Sequence, residues 1–471
     1  MALNNTLNNN TNSFTSLKLN KNLLNNLDSL GYEFMTPIQS LSLPHILSGK
    51  DVIGRGKTGS GKTAAFGLGI LQKLSVKSLK VQSLVLCPTR ELADQVAMEI
   101  RKLARTTANI KILTLCGGTP LTPQIKSLEF GAHIVVGTPG RIEQHLRKKT
   151  LDLHNLTTLV LDEADRMLDM GFQDSIDNII AEIPKSRQTL LFSATYIDEV
   201  KKIATQIMSD QIYIEAPEER EESTIKELFY ATNSYDNRIR TLRILIGKYQ
   251  LPSILVFCNT KIDTQSVANQ LRDFGFYAVA INGDLEQKDR DQALIRFTNK
   301  SIHILVATDV AARGLDVDKL DLVINFNIAH DAQIHTHRIG RTGRAKRSGV
   351  AVTFFSTKEV HKLKNLNYDE NITAGDVIPS DSYLEKIILK PLMTTIKIDG
   401  GKKQKIRPSD IVGALTKKDA TSNITGDSLG KINISSNWSY IAISSDLAKT
   451  ALNKLKKDGI KGKTFRARIL F

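Results

Sequence analysis

Three short stretches of this sequence carry the residue types that bind and cleave a phosphate chain. The first is GKTGSGKT, from Gly56 to Thr63, which matches the pattern GxxxxGK[ST]. Glycines in such a loop let successive backbone N–H groups curl around phosphate oxygens, while the lysine reaches the terminal phosphates and the hydroxyl ligates Mg²⁺. We therefore predict a nucleotide site with Thr63 as a magnesium ligand. The predicted phosphate contacts are Thr58, Gly59, Ser60, Gly61, Lys62 and Thr63.

The second stretch, LVLDEAD, supplies the acidic half of such a site at the end of an apolar run. A carboxylate at a strand end opposite a phosphate loop holds the magnesium shell, and that position is Asp162. The neighbouring Glu163 is placed to orient and deprotonate the attacking water. The two carboxylates therefore predict a site that hydrolyses a nucleoside triphosphate. The alternative, an acidic turn that only faces solvent, is disfavoured.

The third stretch, HRIGRTGR, runs from His337 to Arg344 and places Arg341 and Arg344 three residues apart. Phosphoryl transfer gains from positive charge that acts on the γ-phosphate as negative charge develops, and an arginine from a second domain supplies it. Alone, the run would be an ordinary basic helix face. Together with the phosphate loop, it predicts catalytic roles for His337, Arg341 and Arg344 at an ATP site shared by two domains.

The elements that must position these motifs are short apolar runs separated by amphipathic stretches. SLVLCPT, HIVVGTP and TLLFSAT read as buried strands that end in small or polar residues. This pattern is typical of parallel α/β sheets, whose functional loops follow the carboxyl ends of the strands. It stops near Pro217 and resumes after the charged stretch PEEREESTIKE. We predict two such domains, 14–215 and 222–368, with a flexible asparagine-rich leader at 1–13 and a connector at 369–392.

The last segment, 393–471, has a different rhythm. TTIKID, GKINIS, SYIAIS and FRARILF read as strands, and RPSDIVGALTK and SDLAKTALNKLKK read as helices. The resulting order, βαββαβ, is that of a split βαβ or ferredoxin-like domain, which RNA recognition motifs (RRMs) share. We predict an RRM-like third domain.

The charge of the chain is concentrated in this last segment. The sequence has 64 basic and 49 acidic residues, a net charge of +15, and residues 393–471 alone contain 16 basic and 6 acidic residues. A local excess of this kind favours a nucleic-acid partner. The sequence shows neither an apolar run long enough to span a membrane nor a secretion signal. Its three cysteines are widely spaced and suggest no disulfide framework. We therefore expect a cytoplasmic protein.

A series of motifs in a fixed order makes the sequence similar to one known family. It resembles the DEAD-box RNA helicases over about residues 14–365, and Asp162 to Asp165 spell the name of that family. The other matching stretches are GYEFMTPIQ, PTREL (88–92), GG (117–118), TPGR (138–141), SAT (193–195), VFCNT (256–260), NGDLEQKDR (282–290), ATDVAARGLD (307–316) and HRIGRTGR.

This resemblance implies two tandem RecA-like domains and an RNA-dependent ATPase that uses ATP and Mg²⁺ to unwind short RNA duplexes locally. Gln39 would read the adenine edge, Phe14 would pack near the base, and Asp316 would contact the ribose. Ser193 and Thr195 would couple hydrolysis to strand separation. The implied contacts with RNA or between domains are Arg90, Gly118, Thr138, Arg141, Thr260, Thr308 and Arg313. Such contacts suit phosphates and 2′-hydroxyls, so this binding would be independent of sequence.

The last segment resembles the C-terminal RNA-binding domain of the bacterial DbpA proteins. That resemblance implies an anchor on a specific hairpin of large-subunit (23S-type) ribosomal RNA, with the helicase acting in ribosome assembly as a monomer. The basic residues predicted to contact RNA phosphates are Lys402, Lys403, Lys405, Arg407, Lys431, Lys461, Lys463, Arg466 and Arg468. Because alternate strand residues share one face, Trp438 and Tyr440 are both predicted to point toward the exposed sheet face, where they either stack on bases or play a structural part.

Three alternatives remain open at this point. The two-domain core is also compatible with a DNA helicase or translocase. An RNA clamp with a degenerate core is disfavoured by intact Lys62, Asp162 and Glu163. The basic tail is also compatible with a protein-interaction domain.

Overall fold

Three sheets organise this protein. The structure is a computed structural model that describes residues 12–56, 59–217, 225–312, 320–343, 349–366, 368, 375–417 and 423–470. The chain divides into two compact units near residue 220. The first unit contains one sheet, and the second unit contains the other two.

A seven-stranded parallel sheet forms the centre of the first unit. Its central strands are fully buried, as expected for a parallel sheet that is covered on both faces. The strands are β1 (Val52–Arg55), β2 (Ser83–Leu86), β3 (Ile112–Leu115), β4 (Ile134–Gly137), β5 (Thr158–Asp162), β6 (Gln188–Ser193) and β7 (Ile212–Glu215). Their order in the sheet is β3-β4-β2-β5-β6-β1-β7, and every pair is parallel.

Helices cover both faces of this sheet. They are α1 (Lys21–Ser29), α2 (Pro37–Leu47), α3 (Lys62–Lys73), α4 (Arg90–Leu103), α5 (Leu121–Glu129), α6 (Pro139–Arg147), α7 (Ala164–Asp169), α8 (Gln173–Ala181) and α9 (Asp198–Ile207). Local sequence sets their starts: the side chains of Asn20 and Thr89 accept hydrogen bonds from backbone N–H groups in the first turns of α1 and α4. A short 3₁₀ helix, Phe14–Ser16, precedes them.

The second unit begins with a six-stranded parallel sheet. Its strands are β8 (Ile225–Ala231), β9 (Ile254–Phe257), β10 (Ala278–Ile281), β11 (Ile304–Ala307), β12 (Leu322–Asn325) and β13 (Gly349–Phe355), in the order β10-β11-β9-β12-β13-β8. The helices are α10 (Tyr235–Tyr249), α11 (Lys261–Asp273), α12 (Gln287–Thr298), α13 (Asp309–Ala312), α14 (Ala332–Ile339) and α15 (Val360–Lys364). A 3₁₀ turn at Thr357–Glu359 leads into α15, and another at Asp381–Glu385 follows it.

The third sheet is antiparallel and has helices on one face. The elements are β14 (Met393–Ile398), α16 (Pro408–Thr416), β15 (Leu429–Ile434), β16 (Ser439–Ser444), α17 (Ala448–Asp458) and β17 (Ala467–Leu470). Short 3₁₀ turns lie at Lys402–Gln404, Gly426–Ser428 and Ser445–Leu447. The strand order is β15-β16-β14-β17. Alternate strand residues, such as Ile396 and Ile441, pack against Leu415 and Leu455 of the two helices.

The predicted fold class is confirmed: two parallel α/β sheets precede a βαββαβ domain. Within the described ranges, no helix combines the length and apolar character that crossing a membrane requires. Several predictions concern residues outside the described part of the chain. These are most of the leader (1–11), the ligand contacts of Thr58 and Asp316, the arginines Arg313 and Arg344, much of the linker (218–224) and part of the connector (369–374).

Candidate functional site

The carboxyl ends of the strands bring the motifs of the first unit to one edge of its sheet. Because every pair is parallel, the loops that follow β3, β4, β2, β5, β6 and β1 lie side by side in that order. The polar segments at these strand ends are GG, TPGR, PTREL, DEAD, SAT and the phosphate loop. The sheet therefore places DEAD and the phosphate loop on either side of SAT, next to the three motifs predicted to contact RNA.

The phosphate loop is held by its own glycines and by α2. Gly59 and Gly61 have φ angles of +85° and +93°, in a region that glycine enters without strain. The Oγ1 of Thr36 donates to the carbonyl of Ser60 at 2.7 Å, and Nε2 of Gln39 donates to the carbonyl of Gly61 at 3.1 Å. The start of α2 therefore fixes the backbone that would surround phosphates.

Lys62 and Thr63 begin α3 directly after this loop. The Lys62 side chain is buried and folds back, so that its Nζ donates to the carbonyl of Gly56 at 2.6 Å. A phosphate oxygen in the loop would be a competing and charged acceptor for this ammonium group. The hydroxyl of Thr63 lies one residue into the helix, where the sequence pattern predicts a magnesium ligand.

Asp162 ends β5 as a buried carboxylate with an incomplete set of partners. The residue is 3% exposed, and its Oδ1 has no hydrogen-bond partner among the described groups. Burial raises the pKa of Asp162 to about 7; the charge of Lys62 opposes this rise, and the charge of Glu163 adds to it. An unpartnered carboxylate oxygen beside a phosphate loop fits Mg²⁺, which binds through one or two carboxylates together with substrate phosphates. Within the described residues, no group of three His, Cys, Asp or Glu side chains could hold a metal by itself.

Glu163 has a strained backbone and a buried ion pair. Its φ and ψ are 54° and 52°, the left-handed region that is uncommon for residues other than glycine and that is often found at functional sites. Its Oε2 accepts a hydrogen bond from Nη1 of Arg166 at 2.8 Å, and both side chains are buried. Arg166 was not among the predicted site residues, although its i,i+3 spacing from Glu163 at a helix start could have indicated it.

Asp165 connects DEAD to SAT. Its Oδ2 accepts hydrogen bonds from both the backbone N–H and the Oγ1 of Thr195, at 3.0 and 2.9 Å. The carbonyl of Ser193 accepts a bond from the N–H of Gly56 at 3.0 Å, which joins SAT to the phosphate loop. A displacement at the phosphates would therefore reach SAT through two direct contacts. The proposed coupling role of Ser193 and Thr195 is consistent with this connection.

Two glycines at the sheet edge that is predicted to bind RNA pack against the side chain of an arginine. The guanidinium of Arg90 lies against Gly117 and Gly118, and a Cβ at Gly118 would overlap it. Gly118 also has a φ of +69°, which strains any other residue. The positive φ therefore favours glycine at position 118, and both glycines leave room for the Arg90 side chain at the end of β3.

Arg141 lies in the same region, after Thr138 at the end of β4. Its two terminal nitrogens donate to the carbonyl of Thr119 at 3.1 Å, and Nη1 also donates to Oε1 of Gln124 at 3.0 Å. Burial and then the charge of Arg90 lower the pKa of Arg141, so the two guanidinium groups share one electrostatic field. Arg90, Gly118, Thr138 and Arg141 are therefore brought together, and their contact with RNA stays a prediction.

Phe14 and Gln39, the two residues predicted to contact adenine, are buried in the first unit. Phe14 is 2% exposed and packs edge-to-face on Tyr32 with ring centroids 6.2 Å apart. Gln39 is also buried, and its Oε1 accepts from the N–H of Thr36 while its Nε2 contacts the phosphate loop. Adenine recognition by these two residues stays a prediction.

In the second unit, Thr260 and Thr308 follow β9 and β11, which are neighbours in the sheet. Thr260 is exposed and caps α11 by accepting from the N–H of Asp263 at 3.0 Å, whereas Thr308 is buried. His337 lies on α14 and is half-buried, and Arg341 follows that helix and is buried.

Arg338, an extensively bonded side chain of HRIGRTGR, was not among the predicted site residues. It is 1% exposed, and it donates to both carboxylate oxygens of Asp309 at 2.6 and 2.7 Å. It also donates to Oδ1 of Asn259 at 2.7 Å and to the carbonyl of Asn327 at 2.8 Å, with its guanidinium over the ring of Phe257. Arg338 thereby joins the loops after β9, β11 and β12, a long-range role that the local sequence does not show.

The basic residues predicted in the tail are all exposed. Three loops meet at one end of this domain: the N–H groups of Lys402 and Lys403 donate to the carbonyls of Ser435 and Ser436, at 2.9 Å each. Nζ of Lys461 contacts Asp410 at 2.8 Å and the carbonyl of Lys405 at 3.3 Å. We call this cluster the loop end. Its members are Lys402, Lys403, Lys405, Arg407, Lys461 and Lys463.

The prediction that Tyr440 lies on an exposed sheet face is wrong. Tyr440 pairs with Lys397 and shares a face with it, as the strand alternation indicated, but its exposure is 0%. Residues of the second unit cover this face, so Tyr440 does not stack on a base in this arrangement. Trp438 is half-buried, with the Nζ of Lys397 5.1 Å from its ring centroid.

Three family models match this chain. The DEAD/DEAH box helicase family matches residues 36–203, the helicase conserved C-terminal domain matches 237–346, and the DbpA RNA-binding domain matches 395–469. The chain is 49% identical over 448 residues to the ATP-dependent RNA helicase DbpA of Escherichia coli, covering 95% of this chain and 97% of that protein. It is 42% identical over 390 residues to the DEAD-box ATP-dependent RNA helicase CshA of Bacillus cereus, covering 82% and 74%.

Solved structures share the fold of the core. Saccharomyces cerevisiae Dbp5 bound to RNA and ADP BeF3 matches with a TM-score of 0.69 and 30% identity, covering 78% of this chain and 94% of that one. Mss116p bound to ssRNA and AMP-PNP matches with a TM-score of 0.68 and 27% identity, covering 78% of each chain.

The raised pKa of Asp162 predicts that its ionised carboxylate lowers the stability of the ligand-free protein by an amount that depends on pH. An aspartate has a pKa of about 3.9 when unfolded, so between about pH 4 and pH 7 the folded protein binds more protons at this position. Its contribution to stability therefore falls as pH rises through that window. We expect Asp162→Asn to stabilise the ligand-free first unit relative to wild type by an amount on the order of a few kcal/mol at pH 8, and by little near pH 4.

Thermal unfolding followed by circular dichroism between pH 4 and pH 8 measures this difference. Asp28→Asn, which changes an exposed carboxylate on α1, is the matched control and should show no such trend. Parallel pH profiles for wild type and Asp162→Asn would contradict the assignment of a buried, costly carboxylate.

Arg338→Met is expected to destabilise the second unit by about 3–5 kcal/mol, because it leaves the Asp309 carboxylate without its buried partner. Trp438, the single tryptophan, lies in that unit and reports its unfolding by fluorescence in denaturant. Arg272→Met on α11 removes an exposed arginine and serves as the control. Equal unfolding midpoints for the two variants would show that the Arg338 contacts contribute little.

Proposed function

This chain belongs to the DEAD/DEAH box helicases and, with a DbpA RNA-binding domain at its C-terminus, is an ATP-dependent RNA helicase; from that premise we propose that it remodels large-subunit ribosomal RNA during ribosome assembly. In this proposal the C-terminal domain holds a specific ribosomal RNA hairpin while the core separates short duplexes nearby. The protein acts as a monomer in the cytoplasm. The observation that carries the proposal is a folded domain whose exposed cations gather at its loop end.

The core hydrolyses ATP, and we assign its chemistry to the residues at the edge of the first sheet. A bound Mg²⁺ would supply positive charge that stabilises the negative charge of the phosphates. Thr63 and Asp162 would hold the metal, since Asp162 has a buried oxygen without a partner among the described groups. Lys62 exchanges the carbonyl of Gly56 for a phosphate oxygen, as the stronger, charged acceptor.

Glu163 accepts the proton of the attacking water at its carboxylate. Glu163 directly follows the carboxyl end of β5, and its ion pair with Arg166 fixes one of its carboxylate oxygens. Arg341 and Arg344 stabilise the phosphoryl group in transit, which is their proposed role in phosphoryl transfer.

RNA binding by the core is assigned to the neighbouring strand ends. Arg90 and Arg141 lie in one electrostatic field, beside small residues and hydroxyl groups that admit a backbone closely. Cations and hydroxyls of this kind contact phosphates and 2′-hydroxyls rather than base edges. Sequence preference must then come from another part of the chain, and the loop end of the C-terminal domain is the proposed source.

Crosslinking of the full-length protein to cellular RNA tests the proposal as a whole. The proposal expects the contacts of loop-end peptides to concentrate at one large-subunit ribosomal RNA hairpin, with core contacts spread over adjacent segments. Contacts distributed over messenger and transfer RNA in proportion to abundance would contradict it. ATPase stimulation by DNA as strong as that by RNA would instead favour a DNA translocase.

Glu163→Gln is expected to reduce ATP turnover about 10²–10⁴-fold, because the amide cannot accept the proton of the attacking water. Binding of ATP and RNA should remain close to wild type, since the substitution preserves size and leaves Lys62 and Asp162 in place. Steady-state phosphate release together with equilibrium binding of a fluorescent nucleotide separates the two effects. Normal turnover in Glu163→Gln would refute the assignment of this residue.

The loop end makes a prediction about salt dependence. Replacing Lys402, Lys403 and Lys405 by alanine should weaken binding to large-subunit ribosomal RNA and lower the slope of log K against log salt by about 0.7–0.9 for each phosphate that is no longer neutralised. Filter binding over a salt series measures both quantities. Unchanged slopes would exclude these lysines from the RNA interface.

The same domain offers a matched control. Lys449, Lys456 and Lys457 are exposed on α17, and their replacement by alanine removes the same charge from the helical side. The proposal expects the smaller decrease in affinity from this triple variant. A larger decrease there would assign RNA binding to the helical side instead.

A further inference from the structure

The sheet of the C-terminal domain has two faces, and only one of them packs on the helices of that domain. Ile396, Ile398, Ile441 and Ile443 point into the helical core. The pairings Thr395–Ala442, Lys397–Tyr440 and Lys397–Arg468 define the opposite face. Because alternate strand residues share a face, Thr395, Lys397, Tyr440 and Ala442 form one surface, which we call the open face.

The open face is buried although no described element of its own domain covers it. Thr395 and Tyr440 are 0% exposed and Lys397 is 3% exposed, whereas an uncovered sheet face would leave them largely in solvent. Lys397 is a large charged side chain of a kind that is almost never fully buried unless it is paired. Another part of the second unit must therefore lie against it.

The covering surface is the end of α12 and the segment that follows it. Nδ2 of Asn299 donates to Oγ1 of Thr395 at 3.2 Å, and the hydroxyls of Ser301 and Thr395 lie 2.5 Å apart. Asn299 and Ser301 are themselves buried. A buried cluster of three polar side chains that bond to one another marks a packed interface rather than a chance approach.

Charges on α12 reach the same face. Burial lowers the pKa of Lys397, as do the charges of Arg468 and Lys288, while Asp289 opposes this. The Nζ of Lys397 lies 5.1 Å from the ring centroid of Trp438 and 5.9 Å from that of Tyr440. The ammonium group is thus held between two aromatic rings and a helix that carries acidic residues, which offsets its loss of water.

The connector packs against α10 of the second parallel-sheet domain. Arg240 of α10 forms an ion pair with Asp381, and the backbone of Tyr383 lies against Gly247, where a Cβ would overlap it. Nε2 of Gln250 donates to the carbonyl of Ile387 at 3.4 Å. The chain therefore runs over α10 as an attached segment and enters β14 next to the surface that covers the open face.

We propose that the open face is an intrachain docking surface, which fixes the RNA-binding domain to the second parallel-sheet domain and stays closed while RNA is bound. In a typical RRM this face carries the stacking aromatics, whereas here it is occupied by protein. RNA must then approach from the loop end, with its direction set by the docked domain. The RNA part of this inference rests on the proposed function, and the docking part does not.

A designed disulfide tests the docking in the full-length protein. Ser301→Cys with Thr395→Cys places two thiols where hydroxyls now lie 2.5 Å apart, within reach of a disulfide. A mild diamide oxidant takes two electrons and two protons from the pair, and mass spectrometry of linked peptides detects the bond. We expect near-complete crosslinking without denaturant. Free thiols after oxidation would overturn the docking.

The matched control uses the adjacent residue. Thr394 lies on the other face, where its hydroxyl contacts that of Ser445 at 2.9 Å, so Ser301→Cys with Thr394→Cys should not crosslink. The wild-type cysteines, Cys87, Cys116 and Cys258, are buried and do not compete readily. Equal crosslinking of both pairs would indicate a mobile domain and would also overturn the docking.

The locked protein then tests whether docking persists during RNA binding. We expect the oxidised and reduced forms to bind a 23S ribosomal RNA transcript with affinities within about twofold of each other. A decrease of about tenfold or more on oxidation would show that the open face must be freed for RNA. If neither form prefers ribosomal over generic RNA, the proposed function fails, while the crosslinking result stands on its own.

A second pair of variants guards against a misfolded cysteine protein. Thr395→Arg and Asn299→Arg place a bulky charge on opposite sides of the interface, and both should increase acrylamide quenching of Trp438. Ser445→Arg, on an exposed residue of the same domain, should not. Quenching that stays at the wild-type level in both interface variants would contradict the docking.

Discussion

The shared direction of the strands is the constraint on which the helicase core depends. In both large sheets every strand runs parallel to its neighbours, so all strand ends with functional loops lie at one edge. Within the strands, backbone groups are satisfied by the ladder, and apolar side chains fill both faces. The polar motifs follow the carboxyl ends of the strands, where DEAD, SAT and the phosphate loop become neighbours although they are distant in the sequence.

Several charged side chains are buried at these strand ends, and they differ in their hydrogen-bond partners. Arg338 is fully bonded and joins three loops, so it positions the second unit rather than reacting. Glu163 has one carboxylate oxygen bonded to Arg166 and lies in the left-handed region of the backbone. Asp162 has a buried oxygen with no partner among the described groups, which is the property that a metal ligand needs.

The C-terminal domain shows that a fold does not determine which of its surfaces binds. Its βαββαβ order is that of an RRM, yet the sheet face that carries Tyr440 and Lys397 is buried against α12. The cations of the loop end stay exposed because three loops pack their backbones together and leave the side chains in solvent. A docked domain can present such a surface in a constant direction.

The sequence by itself determined the fold class and the order of the three domains, and it predicted the residues of the phosphate site. These features depend on periodicity and on short motifs, because a phosphate loop requires its glycines and lysine to be adjacent in the chain. Three contacts could not be predicted from the sequence: that of Arg90 with Gly118, those of Arg338 with three loops, and that of Asp165 with Thr195. They join residues distant in sequence, and strand order alone decides which of those meet. Strand alternation placed Tyr440 on the correct face, but only the tertiary structure decided that the face is covered, since burial depends on what packs against it.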